Sequence, residues 1–182
     1  ARISEMLAGG ITGLSVDADL RWHFITNLVE KGIANKADVD AELARDNTVS
    51  GENAHQLCIA AFPTREAKAV AWELAIEGDL TNSKRVATLS GFARPLHREL
   101  LEEYVDRYFE ILLDVWGRKS YEVSSKIVSI LFPGFIVTDA TLAKANGWLE
   151  GVGKDAPAIL RRLVIEGRDA LERAIKVKAI DN

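Results

Sequence analysis

From Pro95 to Gly117 the chain reads PLHRELLEEYVDRYFEILLDVWG. Leu101, Tyr104, Val105, Tyr108, Leu112, Val115 and Trp116 recur at intervals of three and four residues, which places them on one face of an α-helix. Glu99, Glu102, Glu103, Asp106, Glu110 and Asp114 fall elsewhere around the same helix. Proline suits a first helical turn and glycine an end, so the spacing predicts one long helix from Pro95 to Trp116.

The same grammar extends in both directions. Towards the N-terminus, Asp17 can cap a helix running to Lys31, with Leu20, Phe24, Ile25 and Leu28 on one face and Gly32 just past the end. Asn35 with Asp38 three residues on has the form of a capping box for a helix to about Arg45. Thr48 or Ser50 starts another helix to Ala61, and Pro63-Thr64 ends it and opens Arg65 to Glu77, closed by Gly78. Asn82 to Ala93 forms a further short helix. Towards the C-terminus, helices are expected over Ser120 to Leu131, Thr138 to Leu149, and from Ala156 or Pro157 to about Ile180, with Pro133-Gly134 forcing a turn. The last helix is laced with opposite charges four residues apart: Arg162 with Glu166, Asp169 with Arg173, Glu172 with Lys176.

No stretch alternates apolar and polar residues long enough for a strand. The expected fold class is all-α: an irregular superhelical array of about nine or ten helices, a HEAT- or armadillo-like solenoid without a strict sequence period. Gly9-Gly10 to Gly13 is the single loose stretch, so residues 1–182 read as one domain.

Composition narrows the functional classes. The 182 residues carry a net charge of -4, with cations spread along the helices, which argues against a nucleic-acid partner and gives no reason for an anionic membrane partner. The longest apolar runs are far below the roughly 20 residues needed to cross a bilayer. Ala1-Arg2-Ile3-Ser4-Glu5 has neither an initiator methionine nor signal-peptide order, so a fragment of a longer cytoplasmic protein is expected. Cys58 is the sole cysteine, excluding an internal disulfide, and its apolar helical setting reads as core.

Motifs for chemistry are missing. His23, His55 and His97 are too scattered for HExxH or HxH spacing, so no metal ligand set is expected in this chain. There is no GxSxG, no Walker glycine loop and no dinucleotide fingerprint. Asp38 to Glu42 superficially resembles the start of a calcium loop, but Leu43 stands where such a loop requires glycine. No catalytic residue is assigned.

Several ordered segments nevertheless carry a likeness. They are Gly13 to Trp22 (GLSVDADLRW), Glu42 to Gly51 (ELARDNTVSG), Ala60 to Lys68 (AAFPTREAK) running into Ala71-Trp72, Ser90 to Pro95 (SGFARP), Tyr104 to Trp116 and Leu160 to Asp169 (LRRLVIEGRD). Together they resemble the C-terminal helical domain of the M1-family zinc aminopeptidases, in the actinobacterial aminopeptidase N form, over almost the whole chain. The resemblance implies a parent enzyme that removes N-terminal residues from peptides, with zinc as its cofactor. It implies a zinc catalytic domain in the same polypeptide as partner, absent from this chain together with its HExxH. The helical domain would close the active-site cavity and contact the distal part of the peptide. It would also expose an apolar or mixed face that the zinc domain covers.

Within that picture Arg94, with Arg85 and Arg98, is the candidate for holding a peptide carboxylate, because a guanidinium donates two hydrogen bonds at once. The opposing reading pairs these arginines with Glu99, Glu102 or Glu103. Two other readings compete for the whole chain: a non-enzymatic HEAT-like interaction scaffold, and a small helical enzyme working through Glu102, Asp106 and His97.

Overall fold

The structure, a computed structural model, describes residues 16–180. The loose stretch expected at Gly9 to Gly13 lies outside the described residues. Among them the chain forms nine α-helices, one 3-10 stretch and no strand, so the all-α class holds. The helices are α1 Ala18–Glu30, α2 Lys36–Arg45, α3 Val49–Ala61, α4 Arg65–Glu77, α5 Asn82–Phe92, α6 Tyr104–Arg118, α7 Tyr121–Leu131, α8 Asp139–Glu150 and α9 Ala158–Ile180.

Side-chain caps start most of them. Asp17 Oδ1 accepts from the Leu20 amide at 2.8 Å, and Thr48, Thr64, Thr81, Ser120 and Thr138 bond the amide three residues on in the same way. Asn35 and Asp38 close the reciprocal box, each side chain accepting from the other's backbone amide. Each such cap contributes about 1 kcal/mol by satisfying an otherwise orphaned N–H. Gly32 ends α1 at φ +65°, a left-handed conformation that costs glycine nothing.

The long helix behaves differently from its sequence pattern. Pro95–Leu100 is a 3-10 stretch broken by His97 at φ -115°, ψ 67°, and the α-helix begins at Tyr104. Hydrogen bonds over three residues, from Leu101 to Arg98, Tyr104 to Leu101 and Val105 to Glu102, carry the chain through this entry. The kink lets the His97 Nε2–H donate to the Glu30 carbonyl at 2.9 Å, a contact across 67 positions that local periodicity does not encode.

The described residues divide into two compact units, with the boundary between His97 and Arg98. In the first, Trp22, Ile25, Leu28 and Val29 of α1 pack with Val39 of α2 and Cys58 and Ala61 of α3. Arg21 and Glu42 join α1 to α2 through two bonds of 2.6 Å, and the Trp22 indole donates to Asp46 at 2.8 Å. Helices α3 and α5 touch over the longest stretch. Gly91 permits it: a Cβ there would fall 2.2 Å from the Leu57 carbonyl oxygen.

In the second unit the stripe of α6 is buried as its spacing predicts, at Tyr104, Val105, Tyr108, Leu112 and Val115. Tyr108 is wholly buried, edge-on to Phe109 and Phe132, and its hydroxyl donates to the Val128 carbonyl at 2.8 Å. Ile127, Val128 and Leu131 of α7, Ala145 and Trp148 of α8, and Leu160, Val164 and Leu171 of α9 complete this core. On α9 the Arg162–Glu166 and Glu172–Lys176 pairs form, while Asp169 is bonded by its neighbour Arg168 at 2.8 Å.

Candidate functional site

The three arginines singled out by sequence occupy different environments. Arg85 is 6% exposed, and its terminal nitrogens donate inward to the carbonyls of Ala75 and Gly78, stapling the end of α4 to α5. Arg94 forms a two-point ion pair with Glu30 of α1: Nη2 lies 2.7 Å from Oε2 and Nε 2.6 Å from Oε1. Its side chain remains one-third exposed, and Glu30 holds its guanidinium above the ordinary value. For Arg94 the ion-pair partner is Glu30 of α1. Arg98 is exposed.

Around the Arg94–Glu30 pair the first unit gathers further polar groups that the sequence reading did not single out. Lys68 of α4 is 2% exposed, and its ammonium donates to the carbonyls of Ala60 at 2.9 Å, Gly91 at 3.2 Å and Phe92 at 3.2 Å. These carbonyls belong to the last turns of α3 and α5, where the helix leaves its acceptors unpaired and its dipole negative. Burial lowers the Lys68 pKa to about 8, against the opposing pull of Glu30. Glu30, Lys68, Arg94 and His97 surround a space of only about 10 Å³, too small for a ligand, so the cluster is a structural knot. A signal for Lys68 was present: with Ala71, Trp72 and Ala75 it falls on the inward stripe of α4.

The remaining candidates of nucleophilic or metal-binding type are occupied structurally. Cys58 is fully buried, 3.2 Å from the Thr26 hydroxyl, and desolvation raises its pKa to about 11. His55 Nε2 lies 2.8 Å from Asp40, and His23 Nε2 3.3 Å from the Asn27 amide. Among the described residues no group of three His, Cys, Asp or Glu side chains is placed to hold a metal ion, so their donor set does not fit zinc. Glu102 and Asp106 are exposed, and Asp106 pairs with Lys144. No described helix is long and apolar enough to cross a membrane.

Among the described residues three surface grooves are large enough for a partner, and one of them, of about 580 Å³, runs along α4 past Val70, Glu73 and Glu77; the other two are better defined chemically. One, of about 360 Å³, is lined chiefly by apolar residues of α3 and α4, including Ile59, Phe62, Val70 and Leu74, with Val70 61% exposed. The other, of about 530 Å³, lies between α6 and α8 and mixes Phe109, Leu113 and Val152 with Asp106, Glu110 and Lys144.

Fold and site together define an all-helical module whose polar clusters serve structure and whose accessible features are grooves. A family model for the ERAP1-like C-terminal domain matches residues 1–173, and the chain belongs to that family. It is also 41% identical, over 172 residues, to Aminopeptidase N of Streptomyces lividans, an alignment covering 94% of this chain and 20% of that protein. The chain therefore spans about a fifth of the length of that relative.

Proposed function

We propose that the chain is the helical C-terminal part of a zinc-dependent M1 aminopeptidase, a peptide hydrolase that removes N-terminal residues, and that it has no catalytic centre of its own. Its role is to close the active-site cavity and to contact the distal part of the peptide. The observation that carries this reading is the 41% identity to the Streptomyces lividans Aminopeptidase N along 94% of the chain. The zinc ligands and the catalytic groups then lie in another domain of the same polypeptide, and the parent works in the cytoplasm. The apolar groove between α3 and α4 supports the reading, because a face of this kind is what a neighbouring domain covers.

Contact with the distal peptide gives the domain its catalytic relevance, since binding energy gained far from the reacting bond can be spent on positioning at the metal. Of the three arginines, Arg98 is exposed and Arg94 is one-third exposed. Arg85 is internal and serves as the comparison.

The test uses the full-length enzyme and two substrate sets, short peptides with free and with amidated C-termini. Arg98→Ala is expected to raise KM for the free acids about tenfold to a hundredfold, the size of one charge-assisted contact, and to leave the amides nearly unchanged. An equal effect on both sets rejects the carboxylate contact. The 182-residue chain alone should cleave no aminoacyl chromophore, and an upstream reading frame without HExxH would overturn the aminopeptidase reading altogether.

A further inference from the structure

We propose that the groove between α6 and α8 is a docking site for an extended, cationic peptide segment, with the buried Trp148 indole donating to a backbone carbonyl of the segment and Glu110 receiving its arginine or lysine. This inference is independent of the aminopeptidase reading.

The starting observation is an unsatisfied donor. Trp148 is 5% exposed and lines the groove, yet its Nε1–H is shielded from solvent and has no acceptor among the described residues. Buried indole N–H groups are ordinarily bonded, as Trp22 is to Asp46 in the first unit. The benzo side of the ring is closed off: a Cβ at Gly153 would fall 2.3 Å from Cε3 and 2.4 Å from Cζ3. The N–H belongs to the opposite, pyrrole side. Lys144 stands one turn earlier on the same face of α8 and is half exposed; docking requires the side chains over the N–H to move aside.

The lining specifies the chemistry of the occupant. Leu113 and Val152 are 42% and 71% exposed and offer apolar contact along the groove. Of the charged residues, Lys144 is paired with Asp106, whereas Glu110 has no counter-ion among the described residues, which leaves the groove net negative. A neutral or acidic segment would leave that carboxylate unanswered; a basic one complements it. The hydrogen-bond requirement excludes the middle of a helix, whose carbonyls are already bonded, and favours an extended segment, which presents a free carbonyl at alternate residues. A volume of about 530 Å³ falls within the usual range of ligand clefts, so a few residues fit.

The chain contains four tryptophans, so its indole N–H groups give four resolvable nitrogen–proton signals in a labelled sample, and Trp148→Phe identifies the one in question. The probe is an acetylated, amidated hexapeptide alternating leucine and arginine, compared with the same peptide carrying glutamate in place of arginine. The arginine peptide is expected to move the Trp148 indole proton downfield and saturate, the other three signals staying in place, while the glutamate peptide does nothing. Glu110→Gln, at an exposed position that the fold does not depend on, should weaken binding about threefold, and added salt should do the same. Trp148→Phe should weaken it about fivefold to tenfold, the size of one neutral hydrogen bond. If Trp148→Phe fails to fold, single Phe substitutions of Trp22, Trp72 and Trp116 assign the remaining signal to Trp148, and the wild-type titration and Glu110→Gln still decide. A Trp148 signal unmoved by millimolar arginine peptide, equal movement with the glutamate peptide, or an unchanged affinity in Glu110→Gln overturns the proposal.

Discussion

Arg94 and Glu30 stand 64 positions apart and meet as a two-point ion pair, Nη2 at 2.7 Å from Oε2 and Nε at 2.6 Å from Oε1. The carboxylate is the more deeply buried partner, with its side chain 10% exposed against 33% for the arginine. Removing the arginine therefore strands a negative charge in the interior, with Lys68 as the neighbouring cation.

Arg94→Ala should accordingly lower the stability of the chain by about 2–3 kcal/mol, somewhat less than a fully buried pair because the arginine keeps part of its hydration. The double variant Arg94→Ala with Glu30→Gln should recover much of the loss, since it removes the stranded charge together with its partner. Urea unfolding followed by circular dichroism reads both. A cost below about 0.5 kcal/mol for the single variant would mean that the pair is not structural.

Lys68 makes stability depend on pH in an unusual direction. Burial lowers its pKa from 10.5 to about 8, so between those values the unfolded chain holds a proton that the folded chain has released. Stability from this group therefore rises with pH across that window and is flat above it. With Glu30 and Arg94 as the charges facing the ammonium, the gain from pH 8 to 9.5 should be about 1–2 kcal/mol. The quantity to measure is the difference between wild type and Lys68→Met in urea unfolding at both pH values, which cancels the titration of other groups. A difference that falls as pH rises would refute the lowered pKa.

The helices and their starts were legible because capping is local. Asp17, the Asn35–Asp38 box, Thr48 and Thr64 each bond an amide within three residues, and the buried stripe of α6 follows from spacing alone. What the sequence hid is non-local. The helix expected from Pro95 begins at Tyr104 because His97 leaves the helical conformation to reach the Glu30 carbonyl, and no pattern within the segment encodes that partner. Arg85 and Arg94 read equally well as surface cations until the carbonyls of Ala75 and Gly78 and the carboxylate of Glu30 are seen to receive them. Trp148 is not singled out within the helix expected from Thr138 to Leu149, and nothing in its neighbourhood in sequence reveals that its N–H has no acceptor among the described residues.

Cys58 should be silent towards thiol reagents in the folded chain. The side chain is fully buried and desolvation holds its pKa at about 11, so at pH 8 both access and thiolate are lacking. Ellman's reagent is expected to label less than a tenth of the protein in native buffer over minutes and all of it in concentrated urea, with a rate that tracks unfolding. Rapid stoichiometric labelling without denaturant would show that the first unit opens readily around α3.

Gly91 offers a test of the packing between α3 and α5 in which two effects oppose each other. Alanine is the better helix former, by about 1 kcal/mol in an unconstrained helix, so propensity alone predicts stabilisation. At this position, however, the new Cβ would fall 2.2 Å from the Leu57 carbonyl oxygen and 2.9 Å from the Ala60 Cβ, and a backbone oxygen cannot swing aside as a flexible side chain can. The helices must separate, which also lengthens the Lys68 bonds that tie Ala60 of α3 to Gly91 and Phe92 of α5. Overpacking of this kind costs about 1–3 kcal/mol, and with the lost carbonyl contacts it should outweigh the gain in propensity. The comparison is Gly117→Ala near the end of α6, where a Cβ would meet nothing within 4 Å. Thermal unfolding should show Gly91→Ala destabilised by several degrees and Gly117→Ala unchanged or slightly stabilised; stabilisation of both would mean that α3 and α5 do not approach as closely as Gly91 allows.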